Sequence, residues 1–226
     1  MSEFYRFPRT PHLAWLGDAE PRDDKLLTEE EIKRLLSGPV RVEEKLDGAN
    51  LGLSVDRDGR LQAQNRGHYL EPRPQGQFSR LPGWLGMHHD ALRQALGDRL
   101  ILFGEWCAAR HSVSYDVLPD WYLAFDLYDK ESGQFWSSER RDRFCAELGI
   151  TVVPTLYGGT ASLPALTGLV GRSTSRFGPD TIEGIIIRCD DGDWLSARAK
   201  LVGPDFTQAI DTHWRSRSIV WNRLAA

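Results

Sequence analysis

Alternating apolar and polar residues, broken at Asp-Gly pairs, constrain the fold of this chain most strongly. Between residues 40 and 63 every second position tends to be apolar over three short runs, and the breaks fall at Asp47-Gly48 and Asp58-Gly59. A period of two is typical of half-buried strands, and Asp-Gly is a strong hairpin signal. The pattern therefore predicts a three-stranded antiparallel meander, with Lys45 at the end of its first strand and beside a turn.

The rest of the chain indicates a mixture of strands and short helices. Thr28 and Glu31 form a capping box and Gly38-Pro39 ends the apolar pattern, which predicts an amphipathic helix over 28–36. Further strands are predicted at 100–106, 121–128, 150–156, 183–189 and 194–201, and further helices near 88–96, 138–148 and 204–214. Because strands and helices do not alternate regularly, we expect an α+β fold of mostly antiparallel sheets flanked by helices.

The composition is that of an ordinary globular protein. Of the 226 residues, 41% are hydrophobic and 27% are charged, which allows one domain with a substantial core. No apolar run approaches the length of a membrane helix, and the N-terminus lacks the apolar stretch of a secretory signal. Cys107, Cys145 and Cys189 are widely spaced and predict buried thiols in a reducing compartment. We therefore expect a cytoplasmic protein with no membrane partner, no disulfides and no zinc site.

The charge of the chain is unevenly distributed. The net charge of −4 argues against a strongly cationic coat for nucleic acid. Residues 60–80, however, hold four arginines against one glutamate, and residues 198–226 hold five basic residues against two aspartates. Two basic segments on an acidic protein fit a phosphate-lined groove. From charge alone, two solvated faces are the simpler explanation.

Lys45 lies in the run Val-Glu-Glu-Lys-Leu-Asp-Gly-Ala-Asn at 42–50. With an ordinary pKa of about 10.4 a lysine is protonated and cannot attack an electrophile. A nucleophilic lysine has to be desolvated or placed beside other cations or a metal ion. The local sequence supplies Glu44 and Asp47 but no cation, so the neighbouring positive charge must come from another part of the chain.

Polar residues interrupt several apolar strand patterns along the chain. They fall at 45–48, 64–67, 102–106, 122–128 and a last region that holds 183–188 and 197–202. A charged group at a strand end has to be paired or solvated, because its isolated burial is costly. The repeated polar residues at these strand positions therefore predict one polar cavity lined by several strands.

The order of these motifs resembles the covalent nucleotidyltransferases, a superfamily of ATP-dependent DNA ligases, RNA ligases and mRNA capping enzymes. The motifs run from about residue 40 to 202 in the order Lys-x-Asp-Gly, Arg-Gly, Phe-Gly-Glu, Phe-Asp, Glu-Gly-Ile-Ile-Ile and Arg-x-Lys. Within the superfamily the chain looks most like RNA ligases that repair breaks in structured RNA. The resemblance implies a nucleotide cleft between sheets, lysyl-AMP formed from ATP, transfer of AMP to a 5′-phosphate end, and sealing to a 3′-hydroxyl.

The resemblance also implies catalytic roles. Lys45 would be the nucleophile. Lys200 and Arg198 would contact the α-phosphate and lower the pKa of Lys45, and so supply the missing positive charge. The family usually has lysine at both of the latter positions. Arg198 keeps the charge and adds a fork of donors, but an arginine cannot serve as a general acid.

Other motif residues would bind the nucleotide, the metal and the nucleic-acid end. Glu105 would accept a hydrogen bond from the ribose, and Glu183 would organise the hydration shell of Mg²⁺ or Mn²⁺. Either carboxylate can act on the metal through water. Phe125 would stack on adenine, and Asn50 would lie near the reacting 3′ end. The remaining nucleotide-pocket candidates are Glu44, Asp47, Arg66 and Asp126. For Asn50, Asp47, Arg66 and Asp126, the alternative is a scaffold role in which the side chain forms hydrogen bonds within the protein.

A few further residues have open assignments. Residues 9–12 either fold back over the nucleotide pocket or form an ordered arm. His88-His89 is expected in a solvated turn before a helix, and Trp214 and Trp221 either stack on nucleic acid or pack a helix. The sequence contains neither the P-loop nor the Rossmann glycine pattern, which disfavours those folds.

We expect residues 1–226 to form a single nucleotidyltransferase domain. Its parts would be an arm at 1–27, a motif core at 40–202 and a C-terminal helix and tail at 203–226, without an appended OB-fold. The expected partner is RNA with 5′-phosphate and 3′-hydroxyl ends, and an end-healing kinase or phosphatase would be a natural companion that could also help to grip the RNA. The alternatives are a DNA ligase with the same chemistry, a nucleotide- or RNA-binding module of the same fold without turnover, and a capping enzyme, which would take GTP.

Overall fold

The structure, a computed structural model, describes residues 4–17, 26–208 and 219–225. The strands within these ranges are β1 (Val40–Lys45), β2 (Ala49–Val55), β3 (Leu61–Gln64), β4 (Leu100–Trp106), β5 (Tyr122–Asp129), β6 (Gln134–Phe135), β7 (Thr155–Gly159), β8 (Gly184–Asp191) and β9 (Trp194–Val202). The helices are α1 (Glu29–Leu35), α2 (Leu81–Leu96), α3 (Ser138–Glu147), α4 (Leu163–Arg172) and α5 (Pro204–Gln208), with a 3₁₀ turn at Gly76–Phe78.

The strands form two antiparallel sheets. Sheet A has four strands in the order β7-β1-β8-β9, and sheet B has five in the order β3-β2-β4-β5-β6. All pairings between these strands are antiparallel. Helices pack against the outer faces of both sheets, so the predicted α+β fold of antiparallel sheets flanked by helices is confirmed.

The predicted hairpin at Asp47-Gly48 is wrong. β1 pairs with β7 and β8 in sheet A, whereas β2 pairs with β3 and β4 in sheet B. The residues between β1 and β2 therefore carry the chain from one sheet to the other, and the three-stranded meander does not form. The hairpin at Asp58-Gly59 is confirmed, since β2 pairs with β3 and Gly59 has a φ of 76°. Asp-Gly permits a chain reversal, but strand partners far along the chain decide where the next strand goes.

Each sheet has its own hydrophobic core. On sheet B, α2 contributes Trp84, Leu92 and Leu96 to a cluster with the inward residues of β2, β4 and β5. On sheet A, α1 and α4 contribute residues such as Leu35 and Leu166. Each fully buried side chain of this size stabilises the fold by about 1.5–3 kcal/mol. The two cores leave the opposite faces of the sheets to enclose a cavity.

Several element boundaries differ from the prediction. The N-terminal helix is confirmed with its capping box at Thr28. Helix α2 begins at Leu81 rather than near 88, so His88 and His89 lie within the helix, where His88 packs on the ring of Trp84 at 4.3 Å. The strand predicted at 150–156 is found at 155–159, and α4 was not predicted. Proline in the first turn of α2 and of α4 suits the start of a helix. The apolar pattern around each proline is too weak, however, to predict a helix from these positions.

The C-terminal residues return to the loop at 107–118. Helix α5 begins at Pro204, as predicted, and is described as far as Gln208, while the rest of the predicted helix and Trp214 lie outside the described residues. Asn222 accepts a hydrogen bond from the Tyr115 amide at 3.0 Å and donates to the Cys107 carbonyl at 2.8 Å. Trp221 packs against the guanidinium of Arg80, 4.2 Å from its ring centroid. The segment 219–225 thereby braces this loop.

The state of the cysteines and the character of the helices can also be described. The three cysteines are free thiols, with Cys107 and Cys145 buried and Cys189 partly buried. Within the described ranges no helix has both the length and the apolar character needed to cross a membrane.

The buried carboxylate of Asp129 generates a prediction about acid stability. It is 0% exposed and 2.5 Å from the Arg99 guanidinium, whose hydrogen bonds lower the pKa of Asp129 to about 2. The pKa of Asp129 is lower in the folded protein than in the unfolded chain, where it is near 4, so the ionised carboxylate stabilises the fold above about pH 4. This stabilisation is lost as the pH falls toward 2. We expect Asp129→Asn to cost about 1–2 kcal/mol at pH 7 and to flatten this acid limb in urea unfolding.

The matched control is Glu131→Gln, because Glu131 contacts the same arginine at 3.0 Å but is 73% exposed. Exposed pairs contribute little, so this variant should unfold like the wild type. Equal stability of the Asp129→Asn variant and the wild type at pH 7 would contradict the prediction.

Candidate active site between the two sheets

A cavity of about 710 Å³ opens between sheet A and sheet B. Strands of both sheets line it, which is the arrangement that the interrupted apolar patterns predicted. The sequence-predicted residues in its lining are Glu44, Lys45, Asn50, Arg66, Glu105, Phe125, Asp126, Glu183, Arg198 and Lys200. The structure thus brings together ten of the eleven candidates, and Asp47 alone is not part of this lining.

Lys45 forms a close ion pair at the boundary of the two sheets. It ends β1, and its Nζ donates to Glu183 Oε2 at 2.5 Å, with 27% of the lysine and 15% of the glutamate side chain exposed. Burial opposes the ammonium, but the negative charges of Glu183 and Glu105 outweigh it and raise the pKa of Lys45. The direction of this shift is opposite to the lowering expected from the sequence.

Glu105 approaches the same lysine from sheet B. It lies opposite Asn50 in the β2–β4 ladder and accepts a hydrogen bond from the Gly48 amide at 3.1 Å. Burial is the main cause that raises the pKa of Glu105 to about 8, and the charge of Glu183 adds to it while Lys45 opposes it. Burial also raises the pKa of Glu183. Two carboxyls and one amine therefore share a small, poorly hydrated space.

Asp47 stabilises the chain crossing from behind the cavity. Its Oδ2 accepts hydrogen bonds from the amides of Ser112 at 2.6 Å and Val113 at 2.9 Å. Its own amide donates to the Tyr115 hydroxyl at 2.7 Å. These contacts tie residues 46–48 to the loop that the C-terminal segment braces, so they match the scaffold role that the sequence left open for Asp47.

Two motif glycines allow backbones to approach closely beside Lys45. A Cβ on Gly48 would lie 2.6 Å from the Trp106 carbonyl oxygen, and one on Gly184 would lie 2.3 Å from the Leu201 carbonyl oxygen. Gly184 pairs with Lys45 on one side and with Val202 on the other. Both glycines are therefore required by packing, the first at the sheet crossing and the second where β1, β8 and β9 meet.

A β-bulge directs Phe125 into the cavity. Phe103 pairs with Asp126 and Gly104 pairs with Ala124, so Phe125 is the extra residue of β5. Bulges re-aim side chains and interrupt the ladder. The Phe125 carbonyl, which this interruption leaves outside the ladder, accepts hydrogen bonds from Arg141 and, at 3.2 Å, from Arg188. The aromatic ring predicted to stack on adenine is thus held by a defined backbone irregularity, and its role stays a prediction.

Arg198 occupies a different environment from the one expected of it. Its guanidinium pairs with Asp126 and lies 4.5 Å and 4.4 Å from the ring centroids of Phe7 and Phe135. Only 9% of its side chain is exposed. Lys200, two residues further on the same face of β9, also lines the cavity, and its charge opposes the burial that raises the pKa of Glu183. Of the predicted basic pair, Arg198 is thus engaged in an ion pair within the protein and shares its carboxylate partner with Arg188.

The remaining candidates lie around the rim and floor of the cavity. Glu44 is 1% exposed, and its carboxylate accepts from Ser175 Oγ at 2.6 Å and from the Arg176 amide at 3.2 Å. Arg66 is exposed on the turn that follows β3. Asn50 presents a buried Oδ1 that has no hydrogen-bond partner among the described residues. Such a buried oxygen is costly unless a ligand or water satisfies it.

Sequence reasoning missed a buried ionic network behind Phe125. Arg141 is fully buried and donates to Glu43 at 2.6 Å, while Arg188, 1% exposed, donates to Asp126 at 2.6 Å. His111, which is 2.7 Å from Gln77 Oε1 and 3.8 Å from Asp47, was also missed. The sequence indicates these residues only by placing charged side chains within apolar strand and helix patterns. Such a pattern does not show which residue each charge pairs with.

The acidic residues of the cavity fit a divalent cation. Mg²⁺ and Mn²⁺ prefer oxygen ligands, and Mg²⁺ keeps several waters, so one or two carboxylates are enough. Glu105 and Glu183 could supply oxygen ligands, since both line the cavity and the negative charge of each raises the pKa of Lys45. Within the described ranges no cluster of three or more histidine, cysteine, aspartate or glutamate residues could hold a metal ion by itself. The donor set thus fits an ion held partly by water and substrate.

With this geometry in view, comparisons with known proteins identify the family. A protein-family model described as RNA ligase matches residues 38–202, which is most of the chain. The chain therefore belongs to the RNA ligase family, and the resemblance seen in the sequence is confirmed. A search among curated proteins found no match.

Solved structures share the fold. An archaeal ATP-dependent RNA ligase has a TM-score of 0.59 and 18% identity, with 88% of this chain and 48% of that chain covered. The Naegleria gruberi RNA ligase with PPi has a TM-score of 0.58 and 17% identity, with 90% of this chain and 63% of that chain covered. A variant of that ligase with ATP and Mn has a TM-score of 0.57 and 15% identity, with 79% of this chain and 54% of that chain covered. The chain thus spans about half to two thirds of the length of these structures.

The pairing of Asp126 generates a prediction. Its carboxylate, 2% exposed, faces both Arg188 and Arg198. Removing one partner of a buried pair leaves uncompensated charge and costs about 3–5 kcal/mol. We therefore expect Asp126→Asn to lower the free energy of unfolding by roughly 3 kcal/mol in urea titrations without nucleotide.

Asp142→Asn is the matched control. Asp142 also contacts two arginines, Arg41 and Arg141, but it is 26% exposed. Its replacement should cost clearly less, because water can compensate for the lost charge. A loss for Asp126→Asn no greater than that of the control would show that the network is not energetically coupled.

Proposed function

We propose that this chain is an ATP-dependent RNA ligase that joins a 5′-phosphate end to a 3′-hydroxyl end through a lysyl-AMP intermediate. The observation that carries the proposal is the placement of Lys45 Nζ, paired with Glu183 at 2.5 Å, in a cleft of a chain from the RNA ligase family. The relative described with ATP and Mn supports ATP as the nucleotide and a divalent ion as cofactor.

In the first step, Lys45 Nζ attacks the α-phosphorus of ATP. A nitrogen–phosphorus bond forms, the bond from the α-phosphorus to the oxygen bridging to the β-phosphorus breaks, and pyrophosphate leaves with that electron pair. Nζ has to lose a proton before the attack, and Glu183 Oε2 lies within hydrogen-bond distance to accept it. Because burial raises the pKa of Glu183, this carboxylate is a better base than an exposed one.

The next two steps move the AMP group and then release it. An oxygen of the 5′-phosphate attacks the phosphorus of lysyl-AMP, the nitrogen–phosphorus bond breaks, and Lys45 regains its amine. The 3′-hydroxyl then attacks the activated 5′-phosphorus, loses its proton, and AMP leaves. Each step passes negative charge between phosphate oxygens, so positioning and charge neutralisation by residues such as Lys200 supply most of the catalysis.

Different residues of the cavity would bind different parts of ATP and RNA. Phe125 would stack on adenine, and Glu105 would bind the ribose. Arg66, exposed at the rim, would contact phosphate or ribose. Asn50, whose buried oxygen has no protein partner among the described residues, would bind the 3′ end of the RNA.

The more buried candidates act less directly. Glu44 and Asp47 would shape the pocket through the amides and hydroxyls they already bind. Glu105 and Glu183 would hold Mg²⁺ or Mn²⁺, largely through water. When bound, the ion supplies charge neutralisation at the phosphates.

The proposal predicts a covalent label on Lys45. Incubation with ATP labelled at the α-phosphate, in Mg²⁺ or Mn²⁺, should give an acid-labile label on the wild-type protein in a denaturing gel. Lys45→Ala should abolish the label, because it removes the amine that donates to Glu183. Lys33→Ala, on the exposed face of α1, is the control and should label normally.

Each alternative gives a different outcome in this assay. An unlabelled wild type would favour a nucleotide- or RNA-binding module of the same fold. A label that persists on Lys45→Ala would place the nucleophile elsewhere, and a label from GTP alone would indicate a capping enzyme.

We further propose that RNA is the substrate. Sealing of matched nicks built from RNA, from DNA and from mixed strands should be at least tenfold faster where the reacting ends are RNA. The support for this proposal is the family match. Equal or faster sealing of the all-DNA nick would identify a DNA ligase instead.

The biological role follows from the chemistry of the ends. A ligase that needs a 5′-phosphate and a 3′-hydroxyl cannot seal breaks that carry other ends, so a kinase or phosphatase that restores them would be its companion. We propose a role in cytoplasmic RNA repair, with residues 1–226 acting as one catalytic unit.

A further inference from the structure

Residues 4–17, here called the arm, extend sheet A at the edge of β9. The Lys200 amide donates to the Pro11 carbonyl at 2.9 Å, and the Leu13 amide donates to the Lys200 carbonyl at 2.7 Å. His12 lies between these two bonds, paired in parallel with Lys200, and it is 2% exposed. The arm is therefore fixed to the backbone of a basic residue that lines the cavity.

The arm is also fixed to sheet B, across the cavity. The ring of Tyr5 stacks on Tyr128 of β5 with centroids 3.8 Å apart, and its carbonyl accepts from Gln64 Nε2 at 2.8 Å. Phe7 packs on the ring of Phe125 at 5.2 Å. Because one end of the arm is bound to sheet B and the other to sheet A, the residues between them span the cleft.

The arm contributes to the cavity itself. Arg9, Thr10, His12 and Trp15 are part of its lining, and Arg9 is exposed to solvent. The same arm packs Phe7 against Arg198, whose side chain is 9% exposed and paired with Asp126. The arm thus adds a second, more exposed arginine to a cavity whose lining already includes Arg198.

The strand spacing places the arm where the end of a triphosphate can reach. Neighbouring strands lie about 4.8 Å apart, so β9 is on the order of 10 Å from β1 and the arm lies one spacing beyond it. With its α-phosphorus at Lys45, ATP can extend its β- and γ-phosphates across Lys200 toward the arm. Arginine is well suited to bind them, because its planar fork donates to two phosphate oxygens at once.

We propose that Arg9 binds the β- and γ-phosphates of ATP and then the leaving pyrophosphate, because it is more exposed in this cavity than Arg198, whose guanidinium is held by Asp126. The assignment rests on the proposed function, because it presupposes that ATP reacts at Lys45. It has a consequence for the order of steps. Pyrophosphate is present only while lysyl-AMP forms, so Arg9 acts in that step and has no ligand in the sealing step.

The first experiment compares these two steps in the same variant. Arg9→Ala should reduce the rate of label transfer from ATP to the protein by at least tenfold more than it reduces sealing of an RNA that already carries the 5′-5′ AMP. A tenfold change corresponds to about 1.4 kcal/mol, which is the order of one charge-assisted hydrogen bond. Arg9→Lys should recover part of the rate, because it restores the charge without the fork.

Arg6→Ala is the control. Arg6 lies on the same arm and is exposed, but it borders a separate cavity with Tyr5, Arg57 and Asp98. This variant should label and seal like the wild type. Equal losses in both steps for Arg9→Ala, or equal effects of Arg6→Ala and Arg9→Ala on labelling, would overturn the assignment.

A binding measurement separates this inference from the proposed function. Titration of the wild type and Arg9→Ala with α,β-methylene ATP, which cannot release pyrophosphate, and with AMP requires no turnover. Arg9→Ala should weaken binding of the analogue by about tenfold or more and leave binding of AMP within about twofold. Equal weakening of both, or of neither, would refute the role of Arg9 even in a protein that labels. A wild type that binds the analogue but never labels would refute the ligase proposal and leave the phosphate site in place.

Discussion

Between Lys45 and Ala49 the chain passes from sheet A to sheet B, and the site depends on this crossing. The lysine at the end of β1 lies beside Glu183, the residue that precedes β8 in sheet A, and Glu105 comes to it from β4 in sheet B. Gly48 allows the backbone to lie against Trp106, and amides of the 107–118 loop hold Asp47. The crossing therefore joins Glu105 of one sheet to the amine and carboxylate of the other.

The charges around Lys45 act on one another. The negative charges of Glu183 and Glu105 outweigh burial and raise the pKa of Lys45, and burial raises the pKa of both carboxyls. The surroundings therefore favour the protonated form of the amine. A weaker negative charge on the carboxylates would weaken the attraction that holds this proton.

Buried charges support the aromatic wall of the cavity. Arg141 and Arg188 bind the carbonyl that the bulge at Phe125 leaves outside the ladder, and they pair with Glu43 and Asp126. Buried ion pairs contribute little net stability, but each partner is costly to lose. Asp126 also pairs with Arg198, so a residue that the family resemblance places at the phosphates is held by the same network.

The sequence by itself determined the chemistry-bearing residues. Polar residues within apolar strand patterns predicted a shared cavity, and the family resemblance named the candidate residues, ten of which line that cavity. The alternation indicated antiparallel sheets. These signals can be read from the sequence because they are local. Tertiary structure alone decided that Asp47-Gly48 crosses between sheets, that Arg198 pairs with Asp126, and that the pKa of Lys45 rises. These outcomes depend on partners that are from about 50 to 140 residues away in the chain. Strand pairing and electrostatic interaction act through space, so no local pattern encodes which partner a residue meets.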